Sequence, residues 1–154
     1  MHVILCHILC LIVIIFIGFD AHAKDGFKGA SEVFEIASKS TVVVLGYDNK
    51  GKVSSLGSGV VMPGGVVATN CHVVEDATRL LVRYQKRKYL ASRRHTDRDR
   101  DICTLLVKGL GAPAVISGTT ERLKVGARVY AIGAPQGLEL TLSEGIVSSL
   151  RETV

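Results

Sequence analysis

Tryptophan is absent from the 154 residues, proline occurs three times, and aromatic side chains make up only 5% of the chain. The 16 glycines stand in short turn-like places rather than in a repeat, which excludes a collagen-like or low-complexity segment. Disorder as the bulk state is excluded as well, because 47% of the residues are hydrophobic and only 21% are charged. Cysteine is scarce where it could matter. Cys6 and Cys10 lie in an apolar leader, leaving Cys71 and Cys103. Two cysteines need further ligands to hold a metal, and His72 and His95 do not supply zinc spacing. No metal site is expected from these residues. Gly133, Pro135 and Gly137 lack the Lys-Ser/Thr ending of a phosphate loop and lead into no helical pattern, so turn geometry explains them.

No lysine or arginine precedes Lys24. Val3-Ile4-Leu5 and then Ile8 through Phe19 form an apolar run closed by Ala21-His22-Ala23. This is the pattern of a signal peptide over residues 1–23 with a small-x-small cleavage site, and it points to a secreted or periplasmic protein. The n-region offers His2 and His7 in place of basic residues. An uncleaved N-terminal membrane anchor is therefore the alternative, and a misassigned start the third. Cleavage would remove Asp20 and no base, leaving 19 basic and 13 acidic residues, a net charge of +6. That balance favours solubility and identifies no partner.

By length alone the chain suffices for one domain with a sizeable core. Residues 24–40 form an N-terminal segment in which Val33, Phe34, Ile36 and Ala37 suggest a short helix begun near Ser31. Strand patterns follow. TVVVLGY (41–47) is β-branched and apolar, and VSSLGSGVVM (53–62) meets VVATN (66–70) across a Pro-Gly-Gly turn. Further candidates are residues 78–84, 88–92, 102–107, 127–133 and 140–150. Many short strands parted by glycine-rich or charged turns predict an all-β barrel or sandwich, between which periodicity does not choose.

Three segments carry the chemistry. They are GSGVVMPGGVVATNCHVVEDA (57–77), DRDICTLLV (99–107) and GARVYAIGAPQGLELTLSEGIVSSL (126–150). In that order they resemble the catalytic-histidine, catalytic-aspartate and Ala-Ile-Gly-x-Pro-x-Gly segments of HtrA-like trypsin-fold serine proteases. The resemblance implies a trypsin-like double β-barrel. Residues 41–107 would be the first barrel, 108–125 the inter-barrel connection, and 126–154 the opening strands of an incomplete second barrel. It also implies His72 as general base and Asp101 as its orienting carboxylate, with no metal or organic cofactor. A histidine can take a proton from an attacking hydroxyl and return it to the leaving group, while a carboxylate on the other ring nitrogen fixes the tautomer. The bland reading of His72 is a structural histidine. Asp101 competes with Asp97 and Asp99, and the Ile-Cys-Thr-Leu-Leu strand that follows favours it.

The family's nucleophile comes from a Gly-Asn-Ser-Gly-Gly-like segment well downstream, and no such segment occurs in these 154 residues. Ser143, Ser148 and Ser149 align with a barrel strand instead. Cys71 and Cys103 replace other residues of the family beside the two catalytic positions. If His72 meets Asp101, a disulfide between these cysteines is the favoured expectation, with two buried free thiols or a Cys71 nucleophile as alternatives. Neighbours on an extended strand point apart, so adjacency of Cys71 and His72 implies no dyad. Ala134 and Gln136 stand where the family commonly has Asn and Phe.

Residues 79–100 hold nine Lys or Arg against Asp97 and Asp99, with Tyr84 and Tyr89 among them. A solvated charged face is favoured over a nucleic-acid groove, since no recognised binding module accompanies it. The expected partner is a polypeptide substrate of a full-length serine endopeptidase, with no nucleic acid and no membrane partner unless the leader is retained. Rival readings are a catalytically inactive, protease-like binding protein and a membrane-anchored structural protein.

Overall fold

The computed structural model describes residues 29–134 and 140–151. The leader over 1–23 and the Pro135, Gln136 and Gly137 loop positions lie outside the described residues. A helix α1 (Ala30–Ala37) runs through a 3-10 turn (Ser38–Ser40) into eight strands: β1 (Thr41–Tyr47), β2 (Val53–Met62), β3 (Val66–Thr69), β4 (Arg79–Tyr84), β5 (Arg87–Asp97), β6 (Ile102–Val107), β7 (Arg128–Gly133) and β8 (Thr141–Ile146). A short helical turn α2 (Cys71–Val74) follows β3. The first six strands close into a barrel in the order β1-β2-β3-β6-β5-β4. β7 and β8 form a separate antiparallel pair. The fold is all-β, one closed barrel with an open second sheet.

Every residue of β1 is buried. A strand with one solvated face would alternate, and the continuous β-branched run over 41–47 signals cover on both sides. Val42 and Val44 enter the barrel core with Val61, Val67, Val82, Leu105 and Val107. Val43, Leu45 and Tyr47 point the other way and pack with Ala134, Leu81 and Leu140. β1 is thus the wall shared by the barrel and the second unit. Burying each such valine or leucine contributes about 1.5–3 kcal/mol, an upper figure against a compact unfolded chain.

The Gly-Ser-Gly of β2 has a packing reason at each position. A Cβ on Gly57 would stand 2.5 Å from Val73 Cγ2, and one on Gly59 would stand 2.6 Å from Val67 Cγ1. Both distances lie below van der Waals contact, so the backbone of β2 can approach α2 and β3 only with glycine there. Between them, the Ser58 hydroxyl accepts the Ala134 N–H at 2.8 Å and ties the end of β7 to the barrel.

Three boundaries depart from the sequence expectation. β5 runs to Asp97 instead of stopping at residue 92, because it pairs with β6 along Ile102–Val107 through a register shift between Arg93 and His95. The last strand ends at Ile146, the final partner of Arg128, rather than reaching residue 150. Cys71 and His72, treated as neighbours on an extended strand, lie on α2 instead. Among the described residues no helix is long and apolar enough to cross a membrane.

Candidate active site

His72 sits on α2, a single turn that begins where β3 runs out of partners. Thr69 is the last residue of β3 and pairs with Cys103 on β6. Asn70 stays extended, and the chain then coils through Cys71–Val74. Successive side chains on such a turn diverge by about 100° rather than alternating, so Cys71 points inward and His72 outward. Cys71 is 2% exposed, whereas the His72 side chain is 68% exposed.

Asp101 occupies the turn between β5 and β6. Its backbone adopts φ +54°, a left-handed conformation that Asp and Asn tolerate better than other side chains. From there it meets α2 along its whole leading edge. The Asp101 carbonyl accepts from the Cys71 N–H at 3.3 Å and from Asn70 Nδ2 at 3.1 Å. Its Oδ1 accepts the His72 backbone N–H at 3.0 Å. Its Oδ2 accepts from Asn70 Nδ2 at 3.1 Å and lies 2.7 Å from His72 Nδ1. The two groups, 29 positions apart in sequence, are therefore hydrogen-bonded through the ring nitrogen and through the backbone. Asp97 and Asp99 are elsewhere. Asp97 pairs with Arg100 at 2.9 Å, and Asp99 is exposed on the same turn.

The His72 backbone N–H and then the His72 ring hold the Asp101 carboxyl below its usual 3.8. A depressed folded value means stability that is present above the unfolded value and is lost as pH falls through the folded one. The window therefore lies below about pH 4. The Asp101 carboxyl carbon is expected to titrate with a midpoint below 3.8 by NMR. His72→Ala should raise that midpoint only part of the way, since the backbone N–H remains. Full return to 3.8 would show that the ring, not the amide, dominates.

Cys71 and Cys103 are joined in a disulfide with a Cα–Cα distance of 4.8 Å. Both cysteines are 2% exposed. The bridge staples α2 to β6, one residue before His72 and two after Asp101. Sequence reasoning missed three contributors to this site. Asn70 lies inside the Thr-Asn-x-His run but carried no assigned role. Ser55 holds α2 from β2 by donating its hydroxyl to the Val73 carbonyl at 2.6 Å. Arg93 on β5 reaches the far end of α2, and no local pattern announced it.

A family model described as a trypsin-like peptidase domain matches residues 57–154. The chain belongs to that family. A probable periplasmic serine endoprotease, DegP-like, of Pseudomonas putida is 40% identical to this trypsin-like chain over 109 residues, 70% of this chain and 23% of the relative. The DegP-like protein of Ectopseudomonas mendocina is 41% identical over 100 residues, 64% of this chain and 21% of its own. Among solved structures, the serine endoprotease of Yersinia pestis superposes with TM-score 0.72 at 28% identity, covering 80% of this chain and 45% of that one. An active-form protease of Mycobacterium tuberculosis gives 0.68 at 25% identity, covering 74% and 50%. This trypsin-like chain spans less than a quarter of the length of the curated relatives named.

Proposed function

We propose that this chain supplies the base-bearing part of an exported serine endopeptidase, one that hydrolyses peptide bonds through an acyl-enzyme. The observation that carries the reading is the 2.7 Å contact between His72 Nδ1 and Asp101 Oδ2. With Nδ1 engaged, Nε2 is the nitrogen left to take a proton from a nucleophilic hydroxyl and hand it to the leaving amine. Asp101 orients the ring and stabilises the imidazolium. The nucleophilic serine and its backbone oxyanion donors would come from a segment outside these 154 residues, since no Gly-Asn-Ser-Gly-Gly-like sequence occurs within them. Residues 41–107 then serve as the first barrel, 108–125 as the connection, and 126–154 as the start of the second. The substrate is polypeptide. The leader and the periplasmic relatives support a periplasmic or secreted setting.

The second reading is a protease-like binding protein that keeps His72 and Asp101 without catalysis. One experiment separates the two. The gene is sequenced through and beyond the Val154 codon, and its full product is treated with a fluorophosphonate that labels activated serines. The peptidase reading expects labelling that His72→Ala abolishes, and no labelling of the 154-residue chain alone. A full product that takes no label, or takes it equally without His72, overturns it in favour of the binding protein.

A further inference from the structure

The helical turn that carries His72 is only four residues long, Cys71–Val74, and the Glu75 N–H to Cys71 carbonyl bond at 2.9 Å closes it. So short a helix cannot set its own orientation, and its last carbonyls lack intrahelical partners. Its leading edge is held by Asp101, Asn70 and the disulfide, as described above. Its trailing edge meets Arg93. One terminal guanidinium nitrogen, Nη2, donates to the carbonyls of Val74, Glu75 and Ala77, the last at 2.7 Å and the middle one at 3.2 Å. Two hydrogens serve three acceptors, so the Glu75 contact is the weaker, shared one.

The position of Arg93 on β5 is itself unusual. Ala91, two residues earlier on the same face, is buried in the barrel core, and the cross-strand partner of Arg93 is Leu105, fully buried. An apolar residue would continue that face. Directly after Arg93 the pairing with β6 slips by one residue, a bulge of the kind that re-aims a side chain at a functional site. Arg93 itself is exposed, and its guanidinium folds back over the barrel to specific acceptors, the carbonyls at the end of α2.

We propose that Arg93 is a positioning residue for His72: by clasping the carbonyl end of α2 it fixes the turn, and with it the contact between the His72 ring and Asp101. It touches no reacting atom. The inference rests on the reading of His72 as the base. Removing the guanidinium leaves the carbonyl end of α2 held only by the Ser55 hydroxyl at Val73 and the Ala77 N–H at Val74, so the ring should rock against the carboxylate while the barrel stays closed.

The test uses the oxidised 154-residue chain and NMR of the His72 ring, together with hydrogen exchange at the His72 backbone amide. Arg93→Met keeps much of the apolar stem. It is expected to shift or broaden the His72 Nδ1 proton and to speed exchange of the amide by about tenfold, the equivalent of one charge-assisted hydrogen bond. Circular dichroism and the disulfide should be unchanged. Arg93→Lys retains charge and reach without the planar fork and should fall between. A wild-type His72 spectrum and exchange rate in Arg93→Met overturns the inference and leaves the base reading intact. Should Arg93→Met fail to fold, Arg93→Lys decides: a partial shift supports the clasp, and identity with wild type overturns it. A His72 ring that ignores Asp101→Asn in a chain with Arg93 intact would sink the base reading and this inference with it.

Discussion

Asp101→Asn should lower hydrolysis by the catalytically complete protein about 10⁴-fold, the scale of losing the right histidine tautomer in a triad. The geometry explains why so small a change costs so much. Three donors converge on the carboxylate: the His72 backbone N–H on Oδ1, and Asn70 Nδ2 with the His72 ring on Oδ2. An amide has one oxygen. If that oxygen keeps the His72 backbone N–H, its NH2 group confronts the ring and the Asn70 side chain. The ring must then accept at Nδ1, which moves the proton to Nε2, where a base needs a lone pair. Asparagine accepts the left-handed backbone at this position, so the fold should survive, and the loss should read out in kcat rather than in expression. Asp97→Asn and Asp99→Asn are the controls and should change kcat little, since neither carboxylate is bonded to His72. Equal losses at all three positions would show that charge in the turn matters and that the contact does not.

The second large effect concerns stability. Replacing both Cys71 and Cys103 with alanine should cost about 3–4 kcal/mol, following the chain-entropy scale for a loop of this length. The two residues are 32 positions apart. Such a loss is a large share of the 5–15 kcal/mol typical of a folded domain, so the denaturant midpoint of the chain should fall sharply. Because both cysteines are 2% exposed, a thiol reductant should reach the bridge only through local opening. Reduction of the native chain should therefore be slow and should accelerate in sub-denaturing urea. An unchanged midpoint in the double alanine variant would mean that the crosslink ties together two elements already held by the β3–β6 pairing.

Much of the barrel was readable in the sequence. The β-branched run over 41–47 and the Pro-Gly-Gly turn each announced a local geometry, because β-branching favours the pleated backbone and Gly64 and Gly65 lie at φ +79° and +72°. Periodicity could not choose between barrel and sandwich, since that depends on β4 returning to pair with β1, a contact between strands distant in the chain. The helical turn at 71–74 was not legible, and Cys71 and His72 read as neighbours on an extended strand. Cys-His-Val-Val carries a strand-like composition, and only the end of β3 pairing at Thr69 lets the chain coil.

The candidate site divides the same way. Motif order singled out His72 and Asp101, and residue type named their chemistry. Asn70, Ser55 and Arg93 carried no such mark, because their roles depend on which carbonyls and carboxylates lie within about 3 Å in the folded chain. Sequence by itself determined which groups can exchange a proton, through their identity and local backbone preferences. Only the tertiary structure decided how Asp101 meets both the ring and the backbone of His72, and what holds the turn that presents the imidazole. The reason is physical: a hydrogen bond is made at a distance and an angle, and here strand register and the barrel's closure set both.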